Sequence, residues 1–176
     1  PYPKEGDYTK NDIYALPYNG RYIPNYKPGY YQNIKDDNAQ LEAVLGMVDS
    51  YGLRENSIFI YASDHGISGK WGVSEQGLKI PFVVRWPGVV KPGTTSQTML
   101  SLVDVLPTFL DILASKIPIS IDGKSFYKTL KGNESPVNDY IFSLATRQNI
   151  QACKVFPTRA VRGKRYKFIR NYNALE

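Results

Sequence analysis

Two apolar runs, Ser57-Ile-Phe-Ile-Tyr-Ala-Ser63 and Ile80-Pro-Phe-Val-Val-Arg-Trp86, constrain this chain more than any other feature. Both are rich in β-branched and aromatic residues, and the first shows no polar alternation. That is the pattern of strands covered on both faces in a parallel sheet flanked by helices. Upstream, Ile34, Leu41, Leu45 and Val48 fall at helical spacing and predict one amphipathic helix from about Tyr31 to Ser50. Gly52 stands just past its end, where a left-handed residue closes a helix. Helix, tight turn and buried strand form the αβ half of a doubly wound sheet, which binds ligands at the carboxyl ends of its strands. Directly after the first run come Asp64-His65-Gly66, and the second run stops at Pro87-Gly88.

A further helix is expected to begin after Asp104, with that side chain as its cap, Pro107 in the first turn and Phe109, Leu110, Ile112 and Leu113 as the apolar face. After Lys116 the character changes. Strand signals at 140–144, 158–162 and 165–170, separated by polar turns and Gly163, predict a small antiparallel sheet with a hairpin. Tyr166 and Phe168 alternate with Arg165 and Lys167, which predicts a core face and a solvated basic edge. The expected architecture is α/β. Residues 1–118 form part of a doubly wound mixed sheet with flanking helices, and 119–176 form a small α+β C-terminal subdomain.

Residues 1–31 hold eight of the fourteen tyrosines and five of the twelve prolines, with Tyr14, Tyr18, Tyr22, Tyr26 and Tyr30 four apart. Pro17, Gly20, Pro24, Pro28 and Gly29 argue against the helix this period suggests. An extended, surface-hugging lead-in is expected over 1–30, its rings either packed on a neighbouring surface or offering a platform for sugars or bases.

Composition narrows the class. With 176 residues and 42% hydrophobic content the chain is of a size that buries roughly 70% of its unfolded surface, which excludes wholesale disorder. The single cysteine, Cys153, excludes an internal disulfide framework and any multi-cysteine zinc site. No run of 18 apolar residues is present, so no membrane-spanning helix is expected. The chain opens at Pro1 without an initiator methionine or an apolar signal core, which predicts a removed N-terminus or a longer parent. The net charge of +6 resides in residues 140–176, where eight basic residues face Glu176 alone. Such a segment attracts polyanions, whether nucleic acid, anionic lipid or a sulfated glycan.

Asp64 and His65, leaving a strand together, can offer a carboxylate oxygen and an imidazole nitrogen to one cation. A turn in which the aspartate caps a helix would show the same dipeptide. His65 is the only histidine, so a two-histidine zinc site would need its second ligand from elsewhere.

The order of Ser63-Asp64-His65-Gly66, Gly69-Lys70-Trp71, Glu75-Gln76-Gly77, the run from Ile80 to Gly88, Ser101-Leu-Val-Asp-Val-Leu-Pro-Thr108 and Ile121-Asp-Gly-Lys-Ser125 resembles the sulfatase family, within the alkaline-phosphatase-like superfamily. The likeness extends from about Tyr31 to Ile169, and the C-terminal part is similar to the heparan N-sulfatase type. This resemblance implies that Asp64 and His65 bind a divalent ion, usually calcium, with His65 also able to meet the sulfate. It implies that Lys70 pairs with the sulfate, so that Lys70 and His65 are the catalytic candidates in this chain. Fixed positive centres beside sulfur neutralise charge on the non-bridging oxygens.

The family nucleophile is a formylglycine made in a Cys-x-Pro-Ser-Arg-like motif. In Cys153-Lys-Val-Phe-Pro-Thr-Arg159 the proline and arginine stand too far along, and Asp36-Asp37, on the polar part of a helix, do not complete the ion's ligands. The resemblance therefore implies a C-terminal portion of a sulfatase, with nucleophile and remaining ligands in an N-terminal half, and an isolated chain that is inactive and poorly soluble. It implies a sulfated small molecule or glycan as substrate, no nucleic acid partner, and a periplasmic, secreted or lysosomal address. Two alternatives remain open: a phosphonate monoester or phosphodiester hydrolase of the same superfamily, and a non-catalytic polyanion-binding module.

Overall fold

The computed structural model describes residues 14–18, 21–25, 27–66, 72–146 and 157–172. They belong to two units, one ending at Asn56 and one beginning at Ser57.

In the first unit, β1 (Tyr14–Tyr18) and β2 (Arg21–Asn25) pair antiparallel, with Leu16 opposite Ile23 and Pro17 opposite Tyr22. The stretch is extended as expected, but it is paired into a ribbon. Proline is compatible because both strands of a two-stranded ribbon are edges. Helix α1 (Lys27–Ser50) starts ahead of Tyr31. Pro28 and Gly29 fall in its first turn, where no N–H has an intrahelical partner and a fixed φ suits the helix. Leu41, Leu45 and Val48 are half-buried and Ile34 is exposed. The helix closes as its sequence predicts: Gly52 has φ +68°, its N–H donates to Asp49 O, and the Leu53 N–H reaches back to Val48 O.

In the second unit, β3 (Phe59–Ala62) and β4 (Phe82–Arg85) lie side by side, antiparallel, with Phe59 opposite Arg85 and Ala62 opposite Phe82. This corrects the expectation of parallel strands buried on both faces, since Tyr61 and Val83 are exposed. An apolar run reports burial and not the direction of its neighbour. The described part of the connection holds only the single helical turn α2 (Glu75–Leu78), and the chain returns alongside itself.

A 3-10 turn at Leu102–Asp104 leads into α3 (Val105–Ile112), the helix expected there. Asp104 does not cap it with its side chain. The carboxylate is instead buried, accepting from the Ser101 N–H (2.8 Å), the Lys124 N–H (2.8 Å) and Asn138 Nδ2 (2.7 Å). The approach of residue 124 depends on Gly123, where a Cβ would lie 2.0 Å from Val103 O. Thr108 Oγ1 donates to Asp104 O and accepts the Phe126 N–H. Phe126, 1% exposed, meets Phe82 edge-on at 5.8 Å, and Tyr127, opening α4 (Tyr127–Leu130), stacks on Trp86. Contacts thus fasten residues 124–127 to β4 and α3.

The expected small sheet forms from β5 (Ile141–Thr146), β6 (Pro157–Arg162) and β7 (Lys167–Asn171), antiparallel in that order. Arg165 is exposed as expected, but Lys167, Tyr166 and Phe168 lie opposite to the expectation. Thr158 and Ala160 are buried and the Lys167 side chain is 15% exposed, whereas Tyr166 and Phe168 are exposed and Phe142 is 78% exposed. Small residues on the inner face admit close packing, and an acidic side chain described below draws Lys167 inward. Among the described residues no helix is long and apolar enough to cross a membrane.

Candidate metal and sulfate site

The Asp64-His65-Gly66 bend follows β3 and is held by hydrogen bonds to its backbone rather than by bulk. Ser63 Oγ donates to His65 O at 2.7 Å, closing a tight turn, while the Ser63 N–H reaches Pro81 O at 3.4 Å. The Gly66 N–H donates to Gly77 O in α2 at 2.8 Å. Glycine is required at position 66, because a Cβ there would lie 2.1 Å from Gln76 O and 2.9 Å from Lys79 O. The bend and α2 therefore meet backbone to backbone.

This geometry sets the chemistry of the imidazole. His65 Nδ1 lies 2.8 Å from Gly66 O, and a carbonyl only accepts, so Nδ1 carries the proton. In the neutral ring Nε2 then presents a lone pair. Nε2 stands 3.6 Å from Asp64 Oδ1, with the carboxylate 81% exposed and the imidazole 38% exposed. Two electron-pair donors converge on one accessible spot. Their separation suits neighbouring ligands of a cation held at about 2.3–2.6 Å, and the carbonyl bond to Nδ1 is the usual support of a ligating histidine. With Nε2 protonated, the same pair makes an ion pair. The donor set fits a divalent cation, and a carboxylate with an imidazole does not single out calcium.

The structure thus brings Asp64 and His65 together. Lys70 and Cys153 lie outside the described residues. Asp36 and Asp37 are exposed on α1. Among the described residues no third His, Cys, Asp or Glu joins a metal cluster.

One charged group beside the bend was not apparent as a partner of anything in the sequence. Glu75, the first residue of α2, receives Lys167 Nζ at 2.9 Å and Arg162 Nε at 3.2 Å to each carboxylate oxygen. The Lys167 hydrogen bond, with help from Arg162, holds the Glu75 carboxyl below its ordinary value. Two of the basic residues of the C-terminal segment are therefore engaged internally. Arg165 and Arg170 lie over the rings of Tyr166 and Tyr172.

Comparison with known proteins bears on the whole chain. The family described as Sulfatase matches residues 2–115, and the family described as N-sulphoglucosamine sulphohydrolase, C-terminal, matches residues 63–176. An ulvan-active sulfatase of Formosa agariphila is 51% identical over 150 residues, which cover 85% of this chain and 30% of that protein. A solved structure in complex with its substrate, D-glucosamine-2-N,6-O-disulfate, shares the fold at a TM-score of 0.76 and 24% identity, over 85% of this chain and 32% of that one. A phosphonate monoester hydrolase of Silicibacter pomeroyi does so at a TM-score of 0.58 and 20% identity, over 78% of this chain and 32% of that one. The chain spans less than a third of the length of these relatives. Its elements are those of the alkaline-phosphatase-like fold as the solved sulfatases have it. The match of the Sulfatase family to more than half of the residues settles the lineage: this chain belongs to the sulfatase family.

Proposed function

We propose that this chain serves the hydrolysis of sulfate groups on a sulfated glycan, with Asp64 and His65 holding a divalent cation and Lys70 pairing with the sulfate. The observation that carries the reading is the convergence of Asp64 Oδ1 and His65 Nε2, 3.6 Å apart, at an exposed bend. A divalent cation held there, calcium by family resemblance, would supply positive charge to the sulfate oxygens. Asp64 supplies the anionic ligand. His65 keeps its proton on Nδ1 by donating to Gly66 O, which leaves Nε2 directed to the ligand side. Lys70 adds a compact positive charge suited to an anion.

No Cys-x-Pro-x-Arg sequence occurs in these residues, and the displacement step is assigned to none of them. The family resemblance assigns it to a formylglycine in the N-terminal region of the whole enzyme, and an exported or lysosomal location goes with the same resemblance. The substrate class is supported by the name of the ulvan-active relative and by the disulfated sugar bound in a protein of the same fold. A second reading, phosphonate or phosphodiester hydrolysis, is favoured by the fold shared with a phosphonate monoester hydrolase, since one cation and one lysine serve phosphoryl and sulfuryl oxygens alike.

The test is kinetic, on the protein produced from its native gene. Sulfate release from a sulfated polysaccharide should exceed cleavage of a matched phosphodiester, and Lys70→Ala should lower kcat by about 10²–10³. Faster phosphodiester cleavage, or full activity in Lys70→Ala, would refute the proposal.

A further inference from the structure

A continuous set of contacts joins the C-terminal sheet to the Asp64-His65 bend, all within the unit that begins at Ser57. Lys167 on β7 and Arg162 on β6 grip the Glu75 carboxylate from one side, and Lys167 opposite Arg162 in the ladder fixes both heads on one point. Glu75 opens α2, and two residues later the Gly77 carbonyl takes the Gly66 N–H. Gly66 O in turn accepts a hydrogen bond from the imidazole Nδ1–H, which determines which nitrogen of His65 faces outward. Side chains enter this series only at the ionic grip and at the imidazole itself, and the Lys167 side chain is 15% exposed. A helix of a single turn has little stability of its own, so its placement depends on what holds its ends.

We propose that Glu75 is a positioning residue: gripped by Arg162 and Lys167, it seats α2 against Gly66 and thereby holds the His65 tautomer and the Asp64-His65 donor pair. The C-terminal sheet acts on the site through this residue, without touching a ligand. The role assigned to the donor pair rests on the cation reading given above. The position of the bend does not.

Nitrogen-15 spectra of the His65 imidazole test this, recorded on the protein from its native gene, with the His65 signals identified by their loss in His65→Asn. The wild type should show the Nδ1–H tautomer. Glu75→Gln should shift His65 towards the tautomer mixture of a free imidazole and raise by about tenfold the Mn²⁺ concentration needed to broaden its signals. Lys167→Arg should retain the wild-type spectrum. Lys167→Met, which removes the shortest contact and leaves the α2 sequence unchanged, should repeat the effect if Glu75→Gln does not fold. A lowered melting temperature in either disruptive variant with an unchanged His65 tautomer would overturn the proposal and leave Glu75 a structural cross-link. If the tautomer responds but Mn²⁺ never broadens the wild-type signal, positioning stands and the cation reading falls.

Discussion

A methyl group at position 66 has nowhere to go. The atoms it would meet, Gln76 O and Lys79 O, are backbone, and neither can rotate aside. Gly66→Ala is therefore expected to push the bend off α2, cost at least about 1–3 kcal/mol, and remove divalent-ion binding at His65. Thermal denaturation together with Mn²⁺ titration reads both. A variant with wild-type stability and ion binding would show that the backbone contact is dispensable. Asp64 and His65 could be singled out as adjacent donors from the sequence, because adjacency is what their chemistry uses. That Nδ1 and not Nε2 carries the proton could not, since this depends on the carbonyl of Gly66 folding back over the ring. Asp104 was legible as a residue near a helix start, and its Ser101 donor is the capping-box partner three residues back, but its other two donors come from positions 124 and 138, which no local rule connects.

At the level of elements, local signals performed well where the structure they specify is itself local. The Gly52 closure of α1 and the existence of α3 and β5–β7 follow from capping, periodicity and turn residues. The end of α3 carries an unused opportunity. Ala114 adopts φ +51° and is exposed, while the Ser115 N–H donates to Leu110 O and the Ala114 N–H to Asp111 O, the closure normally made with glycine. Ala114→Gly should raise stability by about 1 kcal/mol, measured by urea denaturation; a loss of stability would contradict this account of the helix end. The ionic grip on α2 predicts a pH dependence. Because the folded-state Glu75 carboxyl is held below its ordinary value of 4.5, its contribution is complete above that value and is lost as pH falls through the lower folded one. The melting temperature of the wild type should therefore fall more steeply below pH 4.5 than that of Glu75→Gln. Parallel acid limbs in the two proteins would argue against the grip as a source of stability.

On the scale of the whole chain, the outward face of the β5–β7 sheet carries Phe142, Leu144 and Phe168, two-thirds exposed or more, and the chain spans less than a third of its relatives. Exposed apolar surface of this kind promotes association. Produced as these 176 residues alone, the protein is expected to self-associate and bind a hydrophobic dye; sedimentation as a stable monomer without dye binding would contradict this. The sequence by itself determined the lineage, the order of most elements, and which residues can donate to a cation, because these are properties of single residues and short spacings. Tertiary structure alone decided that β3 and β4 run antiparallel, that Lys167 faces inward while Phe168 faces out, and that Glu75 is held by residues 87 and 92 positions away. Pairing direction and charge partnership are settled by which distant segments meet, and an amphipathic pattern records only that a face is covered, never by what.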